Sequence, residues 1–239
     1  MREKVALSIV MPAYNEGQNI APMVQDALRV AARLSNDYEV IVVDDGSKDD
    51  TAAQVASLAQ QDPHVRLIQH QRNQGYGAAV YSGLTAASKE WVFFTDSDRQ
   101  FVLEELERLL AHTQAADIVI GYRAPRRDPL LRRFYGWGWN RLVTLLFGYT
   151  ARDVDCAFKL MRRELIARVA PLVRSRGATF SAEWLVLARR LGYRFAEVPV
   201  SHRPRVAGRP TGARLRVIWR AFLELARFRL RLWRRGVAG

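Results

Sequence analysis

Three features of the sequence predict an α/β fold, a mostly parallel central sheet flanked by helices. Short apolar runs alternate with segments of helical spacing through residues 1–121. Several of those runs stop at a polar cluster, and ligands of such sheets sit beyond the carboxyl ends of the strands. The chain has 239 residues, 49% of them hydrophobic, which suits one large domain with a sizeable core.

The elements follow in order. Leu7–Met11 is a strand-like run ended by Pro12, and Ile20–Leu34 has helical spacing. Glu39–Val43 reads as a buried strand that stops at Asp44-Asp45-Gly46-Ser47. Asp50–Ala59 reads as a helix with Asp49 or Asp50 as N-cap, and Val65–Gln69 as a strand. Asn73-Gln74-Gly75 opens a helix over Gly75–Ala87, and strand Trp91–Thr95 runs into Asp96-Ser97-Asp98. Leu103–His112 is a helix and Asp117–Ile120 a strand. After Gly121 the character changes. Leu130–Phe147 is aromatic-rich and edged by Arg126, Arg127, Arg132, Arg133 and Arg141. A loop at Arg152–Cys156 and a mixed segment to Leu172 precede a helix at Phe180–Leu191 and a strand at Tyr193–Val200. The loop Ser201–Gly212 leads to a final helix, Arg214–Arg235. Plotted at about 100° per residue, that helix puts Leu215, Ile218, Trp219, Phe222, Ala226, Leu230 and Trp233 on one stripe. Arg216, Arg220, Arg227, Arg231, Arg234 and Arg235 lie opposite. The stripe suits either docking on the domain or a membrane surface.

Charge divides the chain. Lys plus Arg number 37 against 24 Asp plus Glu, a net +13, and only four of the bases are Lys. Residues 1–121 are net −7 and residues 122–239 net +20. The acidic half suits a cation; the Arg-rich half suits phosphates or an anionic surface. A single cysteine, Cys156, excludes a disulfide framework and a cysteine zinc site and fits a reducing compartment. No run approaches the apolar length of a membrane span, so a cytoplasmic, non-spanning protein is expected.

Asp96-Ser97-Asp98 is the sharpest chemical feature. Two carboxylates one residue apart, just past a buried strand, point into the same space and repel unless a cation lies between them. Oxygen ligands of that kind suit Mg²⁺ or Mn²⁺; a capped turn is the plainer alternative. Asp44-Asp45-Gly46 suits either hydrogen bonds to a base or ribose or a β-turn. Tyr14-Asn15-Glu16 carries a similar pair of readings, a ribose contact or a helix start. Asn73-Gln74-Gly75-Tyr76-Gly77 lacks the dinucleotide and P-loop patterns, and the four His lack metalloprotease spacing. No helix-turn-helix, zinc-finger or RNP pattern is present, so no specific nucleic-acid partner is expected.

In order and spacing these pieces resemble family 2 glycosyltransferases of the Rossmann-like GT-A fold. The resemblance rests on Ser8-Ile-Val-Met-Pro-Ala-Tyr-Asn-Glu16, Val40-Ile-Val-Val-Asp-Asp-Gly-Ser47, Asn73-Gln-Gly-Tyr-Gly-Ala-Ala79 and Asp96-Ser-Asp98 with Gln100. Later blocks are Gly121-Tyr-Arg123, Asp153-Val-Asp-Cys-Ala-Phe-Lys-Leu160, Glu197-Val-Pro-Val200 and His202-Arg-Pro-Arg-Val-Ala-Gly208, most like polyprenyl- or dolichyl-phosphate mannosyl- and glucosyltransferases. Tyr76 stands where that family frequently has Lys. The resemblance implies a nucleoside site at Pro12, Tyr14, Glu16, Asp44 and Asp45, and Mg²⁺ or Mn²⁺ on Asp96, Asp98 and Gln100. Arg123 would meet a phosphate, with Asp98, Asp155 and Arg205 at the reaction centre. Arg133 or Arg141 would bind the acceptor phosphate, and Glu183 would lie near the acceptor. The implied reaction is inverting transfer of a sugar, mannose from GDP-mannose before glucose from UDP-glucose, to a polyprenyl or dolichyl phosphate. A soluble glycan acceptor is the rival. Residues 1–212 would form the catalytic domain, with an interface helix at about 130–147, and 213–239 a basic amphipathic helix for peripheral docking on the cytoplasmic membrane face.

Overall fold

The first apolar run forms β1 (Leu7–Ala13), buried at every position because both faces of the sheet are covered. It pairs in parallel with β2 (Tyr38–Asp44) on one side and β4 (Trp91–Thr95) on the other. β3 (Val65–Gln69) extends the sheet beyond β2, also in parallel. The remaining strands are β5 (Ile118–Arg123), β6 (Phe158–Arg162) and β7 (Phe195–Val200), giving the order β3-β2-β1-β4-β6-β5-β7. β6 is antiparallel to both β4 and β5, while β5 and β7 are parallel. In this computed structural model the described residues are 4–124, 130–204 and 215–234, with the side chains of 130–134 and 215–220 outside the description.

Helices α1 (Ile20–Leu34), α2 (Thr51–Gln61), α3 (Tyr76–Ala86), α4 (Leu106–Leu110) and α5 (Leu130–Phe147) come from the predicted helical segments. α4 is shorter than the sequence pattern, because a 3₁₀ turn at Leu103–Glu105 replaces its first turn. α6 (Arg163–Val169), α7 (Phe180–Arg190) and α8 (Leu215–Arg234) complete the helices. Asp49, one residue before the N-cap of α2, does the capping: its carboxylate accepts from the Thr51 N–H at 3.1 Å and from Gly17 N–H at 3.0 Å.

The strand the sequence pattern hides is β6, inside the segment read as mixed. Lys159 breaks its apolar run, and its neighbours in the sheet lie at 91–95 and 118–120. The last helix buries a stripe beside the one plotted from the sequence. α8 packs on the core through Ala221, Leu225, Phe228 and Leu232, whereas Phe222, Leu230 and Trp233 of the plotted stripe are 45%, 53% and 74% exposed. Over the described side chains from Ala221 onward the helix is apolar on two adjoining stripes, and the domain buries one of them.

The chain winds from β1 outward to β3 and then returns across β1 to β4. That reversal opens a crevice at the carboxyl ends of β1 and β4, the usual ligand position of an open α/β sheet.

Candidate active site

Asp96 and Asp98 leave the end of β4 beside the end of β1, where the Ser97 hydroxyl donates to the Pro12 carbonyl at 2.8 Å and ties the two strand ends together. Arg99 between them and Gln100 has φ 59°, and Asn15 at the end of β1 has φ 54°. Left-handed conformations in non-glycine residues carry strain, and both fall at this crevice.

Tyr76, at the start of α3, donates its hydroxyl to Asp96 Oδ1 at 3.0 Å. The Asp96 carboxyl is pushed up to about 7, by burial first and by the charge of Asp98 second. Asp155 is pushed up to about 6, again by burial first, with Lys159 opposing the shift. Its side chain is exposed, so solvent screens that shift, and half-buried Asp96 is the more strongly perturbed of the two. Lys159 projects from β6 toward the same place, donating to the Cys156 carbonyl and lying 5.8 Å from the Phe94 ring. Burial lowers its pKa, and the charges of Asp155, Asp153 and Asp96 oppose that. Arg123, at the end of β5, forms a bidentate pair with Asp153 at 2.7 and 2.8 Å, both side chains nearly buried. Asp96, Asp98, Asp153 and Asp155 with Arg123 and Lys159 thus carry a formal net of two negative charges in one crevice when all six are ionised.

That donor set fits a divalent cation of the Mg²⁺ or Mn²⁺ kind. Asp96 and Asp98 supply only oxygen, and their adjacency raises Asp96 without a cation to offset it. Among the described residues no three His, Cys, Asp or Glu side chains converge to form a complete metal cage. Two carboxylates leave coordination positions for substrate phosphate and water, which is how Mg²⁺ is commonly held. Gln100 turns the other way: its side-chain amide donates to the Arg203 carbonyl at 3.0 Å, and Arg203 N–H donates to the Gln100 carbonyl at 2.7 Å. It pins the segment after β7 over the Asp96–Asp98 loop. Arg205 follows that segment but lies outside the described residues, as does the Arg133 side chain. Arg141 is exposed on α5, 5.8 Å over the Trp137 ring.

The residues expected at the nucleoside lie around the same crevice. Pro12, Asp44 and Asp45 are buried at the ends of β1 and β2, with Tyr14 half-buried beyond β1. Asp44 accepts from the Ser47 N–H at 3.2 Å. Asp45 is more heavily engaged: it meets His70 Nδ1 at 2.7 Å and accepts from the N–H groups of Gln74 and Gly75 at 2.9 and 2.8 Å. It therefore shapes the loop that launches α3. Glu16 accepts from the Asn19 side chain at 2.7 Å at the start of α1. Glu183 is away from the crevice. It is buried in α7, and its carboxylate accepts from the N–H groups of Arg174 and Ser175 and pairs with Arg231 of α8.

Sequence reasoning assigned no role to Lys159, Asp153, His70 or Asn140. A lysine inside an apolar strand and a second aspartate two residues before Asp155 were the available signals for the first two. Asn140 of α5 accepts from Val154 N–H at 3.1 Å and donates to the Arg152 carbonyl at 3.3 Å, holding the loop that carries Asp153 and Asp155. Nothing in its sequence context marks it.

The sequence profile of glycosyl transferase family 2 matches residues 8–169, which include β1, the Asp96–Asp98 loop and the Asp153–Asp155 loop. This chain belongs to glycosyl transferase family 2. Among curated relatives, a dolichyl-phosphate beta-glucosyltransferase of Trichomonas vaginalis is 34% identical over 82% of this chain and 64% of its own length. An undecaprenyl-phosphate 4-deoxy-4-formamido-L-arabinose transferase of Proteus mirabilis is 31% identical over 84% of this chain and 61% of its own length. The chain thus spans somewhat less than two thirds of these relatives. A crystal structure of glucosyl-3-phosphoglycerate synthase from Mycobacterium tuberculosis with Mn²⁺, UDP and phosphoglyceric acid superposes with a TM-score of 0.71, at 21% identity, over 98% of this chain and 80% of that one. The fold is therefore GT-A, as the family resemblance implied.

Proposed function

We propose that this family 2 protein transfers a hexose from a nucleotide sugar to the phosphate of a polyprenyl monophosphate, with inversion, at a membrane surface. The observation that carries the reading is the crevice itself. Paired carboxylates after β4 and an acidic loop before β6 lie together at the adjoining ends of these two strands, beside the reversal point of the sheet. The names of the relatives, all transferases to dolichyl or undecaprenyl phosphate in the two comparisons above, support the acceptor class. They also move the donor away from the expected GDP-mannose. Glucose from UDP-glucose is the proposed donor, supported by the glucosyltransferase relatives.

In this reading Asp96 and Asp98 would hold Mg²⁺ or Mn²⁺, which would supply positive charge to offset the negative charge developing on the departing nucleoside diphosphate. A phosphate oxygen of the acceptor attacks the anomeric carbon, the new C–O bond forms, and the bond to the nucleoside diphosphate breaks with its electron pair leaving on that group. The attacking oxygen is already anionic, so no general base has to remove a proton. Arg123 and Lys159 keep the carboxylate cluster ordered, and Asp45 with Asp44 shapes the nucleoside side. Inversion of an α-linked donor gives a β product, in keeping with the names of the glucosyltransferase relatives.

The membrane part of the reading rests on α5 and α8. They touch through Trp139 with Phe222 and Phe147 with Phe228, and α5 also exposes Tyr135, Trp137 and Leu145. No described helix is long and apolar enough to cross a membrane. Docking would be peripheral, on the cytoplasmic face. The test incubates radiolabelled UDP-glucose and GDP-mannose in parallel with polyprenyl phosphate, Mg²⁺ and detergent, then extracts into organic solvent. Label in the organic phase from UDP-glucose alone is the expected result. Label from GDP-mannose alone returns the donor to mannose, and none from either transfers the reading to a soluble acceptor.

A further inference from the structure

The residue that touches Asp96 is Tyr76, and its position is fixed by a loop that no part of the reading above uses. Residues 174–179 lie between α3 and α8. On one side the Arg176 carbonyl accepts from Ala78 N–H at 3.0 Å, and a Cβ on Gly77 would stand 2.7 Å from both the Gly177 oxygen and Phe180 Cβ. The Arg176 guanidinium lies 3.8 Å over the Tyr81 ring. The first turn of α3 is thus pressed directly against the loop, and Gly77 is required for the approach. On the other side Ser175 and Thr179 hydroxyls donate to Glu224 of α8 at 3.1 and 2.5 Å. Glu183 accepts from Arg174 and Ser175 N–H at 2.9 and 2.8 Å and pairs with Arg231 of α8. Glu183 and Thr179 are each only 2% exposed, so the latch is desolvated and rigid where it grips.

We propose that Tyr76 is a positioning residue for Asp96, and that α8 sets its place through the Glu224 and Glu183 latch on residues 174–179. The proposal rests on the reading that Asp96 holds the divalent cation. Tyr76 has an exposed ring edge, yet its hydroxyl points inward at the carboxylate and its ring meets Phe94 at 6.3 Å. The hydroxyl fixes one oxygen of Asp96 and so pre-orients the other. The helix that carries the outward aromatic residues is thereby connected by contact to the cation site.

The experiment measures Mn²⁺ affinity of the full chain with UDP present, from the electron paramagnetic resonance signal of free Mn²⁺. Tyr76→Phe is expected to weaken binding about fivefold, as loss of a partly exposed hydrogen bond to a charged group should, with the melting temperature kept. Tyr76→Lys, which returns a donor of similar reach, restores the affinity. Thr179→Val, remote from Asp96, weakens binding about twofold or more, and the double variant is no weaker than Tyr76→Phe, since both act through one contact. Ser175→Ala substitutes for Thr179→Val should that variant not fold. Unchanged affinity in Tyr76→Phe overturns the proposal while leaving the cation reading intact. Effects that multiply in the double variant overturn the relay from α8. Absence of Mn²⁺ binding by the unaltered protein overturns the cation reading and the proposal together.

Discussion

The Asp96 carboxyl is pushed up to about 7, far above the ordinary carboxylate value, because crowding by the protein and the neighbouring Asp98 charge disfavour its ionised form. A carboxyl whose folded value lies above its unfolded one contributes its full stability below the unfolded value and loses it as pH rises through the folded one. For Asp96 the loss begins near the ordinary value of 3.8 and is complete once the pH has passed about 7. Asp96→Asn removes the charge at every pH. Without divalent cation that variant is therefore expected to melt higher than the unaltered protein at about pH 8 and equally at about pH 4. It also loses the stabilisation that Mn²⁺ with UDP confers, and its transfer rate falls at least about 100-fold. Melting curves at the two pH values check the first part; a pH-independent difference would remove the buried charge as its cause. Cys156 lies in the same crevice wall with its thiol pushed up to about 12 by burial first and Asp153 second. Iodoacetamide at about pH 8 is expected to leave it unmodified in the folded chain and to label it after denaturation, because the thiolate is the reactive form. Rapid labelling of folded protein would contradict that.

The strands show what a sequence discloses at the scale of an element and where it stops. β1, β2 and β4 were legible because apolar runs buried on both faces end abruptly at Pro12, Asp44 and Asp96. β6 was not, since Lys159 interrupts it and its partners are remote in sequence. The aspartates of the site were legible as residues, but their division of labour was not. Asp45 braces a loop through His70, 25 positions away, and Arg123 is engaged by Asp153, 30 positions away. α8 was legible as amphipathic, but its core-facing stripe was not, because two adjoining apolar stripes give one periodic signal. Glu39 makes a related point at the opposite, amino-terminal end of the strands, on β2. It accepts from Ser8 of β1 at 2.7 Å and from Ser88 N–H and hydroxyl at 2.7 and 2.8 Å, and it pairs with Arg66 of β3. Burial alone would raise its pKa, but these donors together hold it below the ordinary carboxylate value. Glu39→Gln cannot satisfy them all, so it should cost about 1–3 kcal/mol in urea unfolding with transfer per folded molecule unchanged. An unaltered unfolding midpoint would show that the strands do not depend on this brace.

Across the whole molecule, charge and apolar exposure coincide. The half of the chain after Gly121 carries a net +20, and it also supplies the exposed aromatic residues of α5 and α8. Phe222, Leu230 and Trp233 face outward although α8 has a separate stripe to bury, so folding alone does not account for them. Exposed Arg227, Arg229 and Arg234 share that helix. Under the proposed membrane docking an anionic bilayer would satisfy both features: the aromatic and aliphatic side chains would enter the headgroup boundary and the guanidinium groups would meet lipid phosphate. The two contributions separate experimentally because only one is screened by salt. Replacing Phe222, Leu230 and Trp233 together by Ser should lower partition onto phosphatidylserine vesicles at least about tenfold at any salt concentration, since each apolar side chain contributes about 1.5 kcal/mol or more when buried. Replacing Arg227 and Arg234 by Gln should weaken binding at low salt and leave the residual, salt-resistant part in place. Vesicle co-sedimentation at two ionic strengths distinguishes them. Partition that the triple replacement does not change would mean that α8 meets another surface, and that the proposed acceptor lipid would have to reach the crevice without this helix lying on the membrane.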